Sequence, residues 1–159
     1  MLYILEPEVA GELGEETLYH NFDNVRLKGE RPIVDKLHYH FTGWLGDELL
    51  EATPCFIVSY ELALSIEKKA LSGYRLEDVI ISLSDEFNEM YPKRELSQFK
   101  RLVPTGTILV NKDTYKEWSG EDICISQNSY LVVSDKALDT IRTHKVENCD
   151  IIELKEQKG

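Results

Sequence analysis

The chain contains two copies of one local pattern, and this repetition constrains its fold more than any other feature. In each copy an apolar run ends in a serine, a helical stretch follows, and a turn leads into a second apolar run. The copies span residues 56–81 and 131–152. Ser59 and Ser134 are suited to cap the two helices. A strand–helix–strand unit cannot bury its apolar face alone, so we expect both copies to share one core.

The spacing of apolar residues predicts a helix in each copy, over 60–71 and over 135–145. In the first helix Leu62 and Ile66 lie four residues apart and therefore share one helical face. Gly73 is a suitable terminator after that helix. The strands expected to close the two units lie at 79–81 and 151–152.

The remaining sequence predicts further strands, turns and one short helix. Ser84 is placed to cap the helix, which Pro92 ends. Residues 47–51 read as a short helical turn before Pro54. Other strands are expected at 34–41, 99–103 and 107–110, with a hairpin between 123–126 and 130–133. The sequence therefore predicts a single mixed α/β or α+β domain over 1–154, with a charged tail at 155–159 that frays.

The formal net charge of −11 restricts the partners of this protein. Residues 1–53 hold eleven acidic and four basic residues, a net charge of −7. Phosphate backbones and anionic membrane surfaces would repel such a chain, so neither nucleic acid nor a membrane is an expected partner. A basic protein would be attracted to it. The alternative is that the acidity only aids solubility.

Three features of the sequence favour the cytoplasm. No apolar run approaches the roughly 20 residues of a membrane-spanning helix. The N-terminus lacks the basic region of a secretory signal. Cys55, Cys124 and Cys149 form no CxxC pair, and their apolar neighbours indicate buried, inert thiols.

His38 and His40 are the candidates for a metal or catalytic site. Side chains two apart on a strand project from the same face, so both imidazoles could reach one ion. No third ligand follows at a fixed spacing, and we expect no bound metal. The chain also lacks a GxSxG elbow and the glycine-rich phosphate loops, so no cofactor is expected. An enzyme centred on these two histidines is the alternative to a binding protein.

Two tryptophans and several acidic residues are candidates for contact with a protein partner. Trp44 lies between two glycines and suits either a core anchor or an exposed hot spot. Trp118 lies in a polar stretch and is the better candidate for an exposed aromatic residue. The acidic candidates are Glu15, Glu16, Asp47, Glu48 and Glu51.

Residues 38–51, continuing through 54–59, and residues 131–138 resemble small bacterial cytoplasmic proteins. Their apolar–serine–helix–turn–strand unit is similar to one found in immunity proteins of polymorphic toxin systems. The resemblance covers mainly 34–81 and 123–152. It implies an acidic, single-domain, non-enzymatic protein that blocks the active site of a toxin. No toxin-binding residue is carried over from it.

Overall fold

The computed structural model describes residues 1–29, 31–43, 46–92 and 98–158. Within these ranges the fold is α+β and consists mostly of strands. The prediction of a mixed fold of helices and strands agrees with this architecture. The helices are α1 (Phe22–Lys28), α2 (Tyr60–Lys68), α3 (Asp85–Met90) and α4 (Asp135–Arg142). The strands are β1 (Leu2–Glu6), β2 (Gly11–Leu13), β3 (Leu18–Tyr19), β4 (Val34–Lys36), β5 (His38–Phe41), β6 (Leu49–Ala52), β7 (Cys55–Ser59), β8 (Tyr74–Glu77), β9 (Ile80–Leu83), β10 (Phe99–Pro104), β11 (Gly106–Asn111), β12 (Thr114–Lys116), β13 (Ile123–Ser126), β14 (Leu131–Ser134) and β15 (Asp150–Glu156).

The strands form one closed sheet and three smaller open ones. The closed sheet is a barrel with the order β1-β14-β13-β11-β12-β15. The open sheets have the orders β6-β7-β10-β8, β2-β5-β9 and β3-β4. In the described part of the chain, no helix is both long and apolar enough to cross a membrane.

Two strand–helix–strand units, β7-α2-β8 and β14-α4-β15, have the same topology. In each unit the two strands lie parallel on either side of an antiparallel strand from elsewhere in the chain, β10 in the first and β1 in the second. The central pairings are Ile57–Arg101–Glu77 and Val132–Ile4–Ile152. The number of residues from Ile57 to Glu77 equals the number from Val132 to Ile152, so the two units align in sequence without a gap. Arg101 and Ile4 therefore occupy equivalent positions.

The predicted serine caps begin both helices. The Ser59 hydroxyl accepts the backbone N–H of Leu62 at 3.1 Å, and the Ser134 hydroxyl accepts that of Ala137 at 3.3 Å. These bonds satisfy N–H groups that have no partner inside the helix. Both helices are shorter than predicted, because α2 ends at Lys68 and α4 at Arg142.

The two units contribute equivalent residues to one hydrophobic core, as the repeated pattern predicts. The paired positions are Leu5 with Leu102, Leu49 with Ile123, Phe56 with Leu131, Val58 with Val133, Leu62 with Ala137, Ala63 with Leu138, and Ile66 with Ile141. Helices α2 and α4 contact each other across this core. The strands and helices of each unit therefore bury their apolar faces against those of the other.

Two strand predictions in the first half of the chain were wrong. The strand that completes the first unit is β8, whereas residues 80 and 81 of the predicted 79–81 belong to β9 in another sheet. The predicted strand 34–41 is divided at Leu37, so that β4 and β5 join different sheets. Alternation of apolar residues specifies which face is buried, but it does not specify the sheet that a strand joins.

Two further predictions were wrong because distant pairing overrides local sequence. Residues 49–51 of the predicted helical turn belong to β6, which pairs with β7 in a hairpin. The tail predicted to fray from residue 155 is strand as far as Glu156, since Lys155 and Glu156 pair in parallel with Thr114 and Tyr115 of β12. The hairpin between β13 and β14 forms as predicted.

Candidate functional sites

The carboxylate of Asp47 is a structural group rather than part of an exposed surface. Asp47 is only 3% exposed. Its carboxylate accepts the backbone N–H groups of Glu147 at 3.0 Å and Asn148 at 2.7 Å. The chain before β6 is therefore attached to the loop that follows α4, which leaves Asp47 little surface for a partner.

Glu48 connects β6, α2 and the loop after α4. Its carboxylate accepts the Ser59 hydroxyl at 2.6 Å and the Lys145 backbone N–H at 2.8 Å, and it lies 3.1 Å from His144 Nδ1. Burial alone would raise the pKa of Glu48, but these hydrogen bonds outweigh it and lower that pKa. Glu48, like Asp47, is held within the fold.

Asp122 is the counterpart of Glu48 in the second unit, and the sequence analysis missed it. Its carboxylate accepts the Ser134 hydroxyl at 2.7 Å and the Ser72 backbone N–H at 3.0 Å. Burial would raise the pKa of Asp122, but the hydrogen bonds lower it. An acidic residue directly before the hairpin of each repeat was the available sequence signal. Glu48 of the first unit thus bonds the loop after α4, and Asp122 of the second unit bonds the loop after α2.

The other predicted partner-binding residues lie in different environments. Glu51 is half-buried, and burial raises its pKa. Glu15 and Glu16 are exposed. Trp118 is exposed as predicted, while its indole N–H donates to a backbone carbonyl at 2.9 Å. Trp44 lies outside the described residues.

An open groove of about 560 Å³ runs along the exposed side of α2, and we call it the α2 groove. Tyr60 and Leu64, one turn apart, line it and are 45% and 46% exposed. Its other lining residues are Ala63, Glu67, Leu76, Glu77, Asp78 and Lys100. Lys100 pairs with Asp78 at 2.7 Å and Arg101 pairs with Glu77 at 3.4 Å, so Glu67 supplies the negative charge that the groove keeps beside an apolar surface.

Comparison of the two units shows that the fold does not require an apolar surface at this place. The positions equivalent to Tyr60 and Leu64 on α4 are Asp135 and Asp139, which are exposed. The same backbone therefore accepts two aspartates where α2 exposes two large apolar side chains. Tyr60 and Leu64 therefore form an exposed apolar surface that the fold does not require.

His38 and His40 lie on either side of the Ser82 hydroxyl. His38 Nδ1 accepts the backbone N–H of Glu16 at 3.2 Å, so the ring proton of neutral His38 is on Nε2. This Nε2–H donates to Ser82 Oγ at 2.6 Å, and Ser82 Oγ also lies 2.6 Å from His40 Nδ1. The parallel pairing of β5 with β9 brings the three side chains together.

This cluster borders a cleft of about 460 Å³ whose lining also includes Glu12 and Glu15. His38 is buried, and a side chain at Gly14 would collide with its ring. In the described ranges, no group of three histidine, cysteine or acidic side chains is arranged to hold a metal ion. The expectation that His38 and His40 bind none stays a prediction.

A second serine–histidine pair lies between α2 and the end of α4. Ser65 Oγ is 2.7 Å from His144 Nε2, and His144 Nδ1 is 3.1 Å from the Glu48 carboxylate. The order of serine, histidine and carboxylate is that of a hydrolytic triad. Ser65 lies within a helix, not on the sharp strand–helix turn that exposes a typical nucleophile. The arrangement links α2, α4 and β6.

The three cysteines have the properties expected of unreactive thiols. Burial raises the pKa of Cys55 to about 11 and that of Cys149 to about 12, and it also raises that of Cys124. The thiolate is the reactive form of cysteine, so these groups are poor nucleophiles.

No protein-family model, curated protein or solved structure matches this chain. The α2 groove and the His38–Ser82–His40 cluster are the two sites from which its function can be argued.

Proposed function

We propose that this chain is an acidic, cytoplasmic, non-enzymatic protein that binds a basic protein, most concretely as an immunity protein that neutralises a toxin. The observation that carries the proposal is the α2 groove. It joins exposed Tyr60 and Leu64 to a surplus of carboxylates, at positions where the equivalent surface of α4 is polar.

The chemistry of the groove fits a basic segment with an apolar anchor. Tyrosine is enriched among the residues that dominate binding energy, because it buries a large area with few rotatable bonds. Glu67 would face lysine or arginine at the rim of such an interface. The net charge of −11 would accelerate the encounter with a basic toxin.

A double variant, Tyr60→Asp with Leu64→Asp, tests this proposal because it copies the residues of α4 onto α2. We expect it to remain folded and to weaken binding more than tenfold, or about 1.4 kcal/mol. The partner in the measurement is a basic toxin domain encoded beside this gene, and the readout is the equilibrium constant from biosensor or stopped-flow kinetics. Association of the wild type should slow as salt rises, since rim charges act mainly on encounter.

Tyr130→Asp is the matched control. Tyr130 is exposed in the turn between β13 and β14, so its replacement removes an exposed aromatic group and adds one negative charge. Binding should be almost unchanged in this variant. Equal affinity of the groove variant and the wild type, or an association rate indifferent to salt, would contradict the proposal.

The His38–Ser82–His40 cluster favours an esterase-like hydrolase as the second candidate function. In that reaction Ser82 Oγ would bond to the substrate carbonyl carbon while its proton passes to His40 Nδ1. His40 would then protonate the leaving alcohol, and water would release the acyl group by the reverse sequence. The cleft of about 460 Å³ beside Ser82 could admit a small ester.

Labelling with a fluorophosphonate probe, mapped by mass spectrometry, separates the two candidate functions. The binding proposal predicts that neither Ser82 nor Ser65 reacts. Labelling of Ser82 that is lost in His40→Ala would instead support the hydrolase. Labelling of Ser65 that is lost in His144→Ala would identify the other serine–histidine pair as the reactive one.

A further inference from the structure

A pocket of about 410 Å³ on the β8–β10 side of the molecule concentrates positive charge in an otherwise acidic protein, and we call it the arginine pocket. Arg31, Arg75 and Arg101 all line it, together with Asp35 and Glu77. The whole chain has 18 lysines and arginines against 29 acidic residues. Three arginines against two carboxylates is therefore a local reversal of the overall charge balance.

The guanidinium of Arg101 is buried and poorly satisfied. Arg101 is 7% exposed. Its Nε is buried and has no hydrogen-bond partner among the residues that the structure describes. Its Nη1 is 3.4 Å from Glu77, and among the described residues its Nη2 has one contact, a long one of 3.7 Å with the Cys55 sulfur. A buried cation with unpaired donors is costly unless a partner completes its hydrogen bonds.

The fold does not require an arginine at this position. In the second unit the equivalent of Arg101 is Ile4, which is 3% exposed and packs in an apolar core. The same strand position therefore accommodates an isoleucine. Because an isoleucine fits the equivalent strand position, folding does not require the buried arginine, and this points to a role in binding.

Neighbouring groups leave part of this positive charge uncompensated. Glu77 is shared between Arg75 at 3.3 Å and Arg101 at 3.4 Å, and Asp35 faces His20 at 3.3 Å. The three arginines exceed the two carboxylates of the pocket by one charge. This balance suits a monoanion better than a phosphate group, which carries about −1.5 to −2 at neutral pH.

We propose that the arginine pocket binds a small carboxylate ligand with an apolar body, held by the Nε and Nη2 of Arg101. The side of a guanidinium presents two parallel N–H donors at the spacing of the two carboxylate oxygens. Ile33, Val103 and Ile125 line the same pocket and would contact the ligand's hydrocarbon part. The arginine pocket shares Glu77 with the α2 groove, and its other lining residues differ from those of the groove.

The arginine Nε–H signals in a ¹H–¹⁵N spectrum provide the test, because they report directly on the unpartnered atom. Titration with butyrate should shift the Arg101 signal saturably at millimolar concentrations, and butyramide, the neutral analogue, should not shift it. Arg101→Lys keeps the charge but loses the paired donors, and it should bind butyrate at least tenfold more weakly. Arg142→Lys, at the exposed end of α4, is the control and should bind like the wild type.

Three results would overturn the proposal. The first is the absence of a saturable Nε shift in the wild type, which does not depend on any variant folding. The second is an equal response to butyramide, and the third is saturation by inorganic phosphate in place of butyrate. The butyrate titration contains no toxin, so its failure would leave the toxin-binding proposal standing. Failure of toxin binding would likewise leave the carboxylate site standing.

Discussion

Replacing Leu5 by alanine is expected to destabilise the protein by about 2–5 kcal/mol, and Leu102→Ala should cost a similar amount. The two leucines are 2% and 1% exposed and occupy equivalent positions on β1 and β10. Each lies in the core that the two units share. Removal of either side chain loses buried apolar area and leaves a cavity, so the free energy of unfolding should fall in urea titrations.

Leu64→Ala is the control for these two variants because Leu64 is exposed on α2. Its effect on stability should stay within about 0.5 kcal/mol. A large loss at Leu102 with almost none at Leu5 would show that β1 does not complete the second unit as β10 completes the first. Such a result would contradict the conclusion that β1 and β10 have equivalent roles in the two units.

Asp47→Ala is expected to lower stability by roughly 2–3 kcal/mol, although Asp47 carries no apolar surface into the core. The variant leaves the N–H groups of Glu147 and Asn148 without the acceptor that now lies 2.7–3.0 Å away. The loop after α4 would lose its attachment to the chain before β6. The measurement is the midpoint and slope of urea unfolding, compared with the wild type.

Asp139→Ala removes an exposed carboxylate from α4 and serves as the control, with an expected change below about 0.5 kcal/mol. Asp47→Ala with wild-type stability but weakened toxin binding would restore the interpretation of Asp47 as a surface contact. Loss of stability without a specific loss of affinity in the folded fraction would support its structural role.

The sequence contained more information about the elements than about the sites. The helix caps at Ser59 and Ser134 were predictable, because a serine hydroxyl bonds an N–H only three residues away. The chemistry of Asp47 and Glu48 was not, since their partners lie around residues 144–148. Acidic residues near a tryptophan suggested a surface, and only the folded chain placed backbone donors in front of them.

The candidate sites follow the same division. His38 and His40 were identifiable from their spacing, but Ser82 joins them only because β9 pairs beside β5. Nothing in the local sequence connects Arg31, Arg75 and Arg101. Tyr60 and Leu64 stand out only because the equivalent residues on α4 are Asp135 and Asp139. This equivalence is known from the alignment of the two units in space.

The sequence by itself determined the two helices, their caps, the hairpin before α4 and the presence of two similar units. These features depend on contacts within a few residues or on the periodicity of apolar side chains. The tertiary structure decided that β1 and β10 enter the centres of the two units, that residues 49–52 form a strand, and that β15 extends through Lys155 to Glu156. Those outcomes depend on hydrogen bonds between strands far apart in the chain, whose pairing is set by which apolar faces can be buried together.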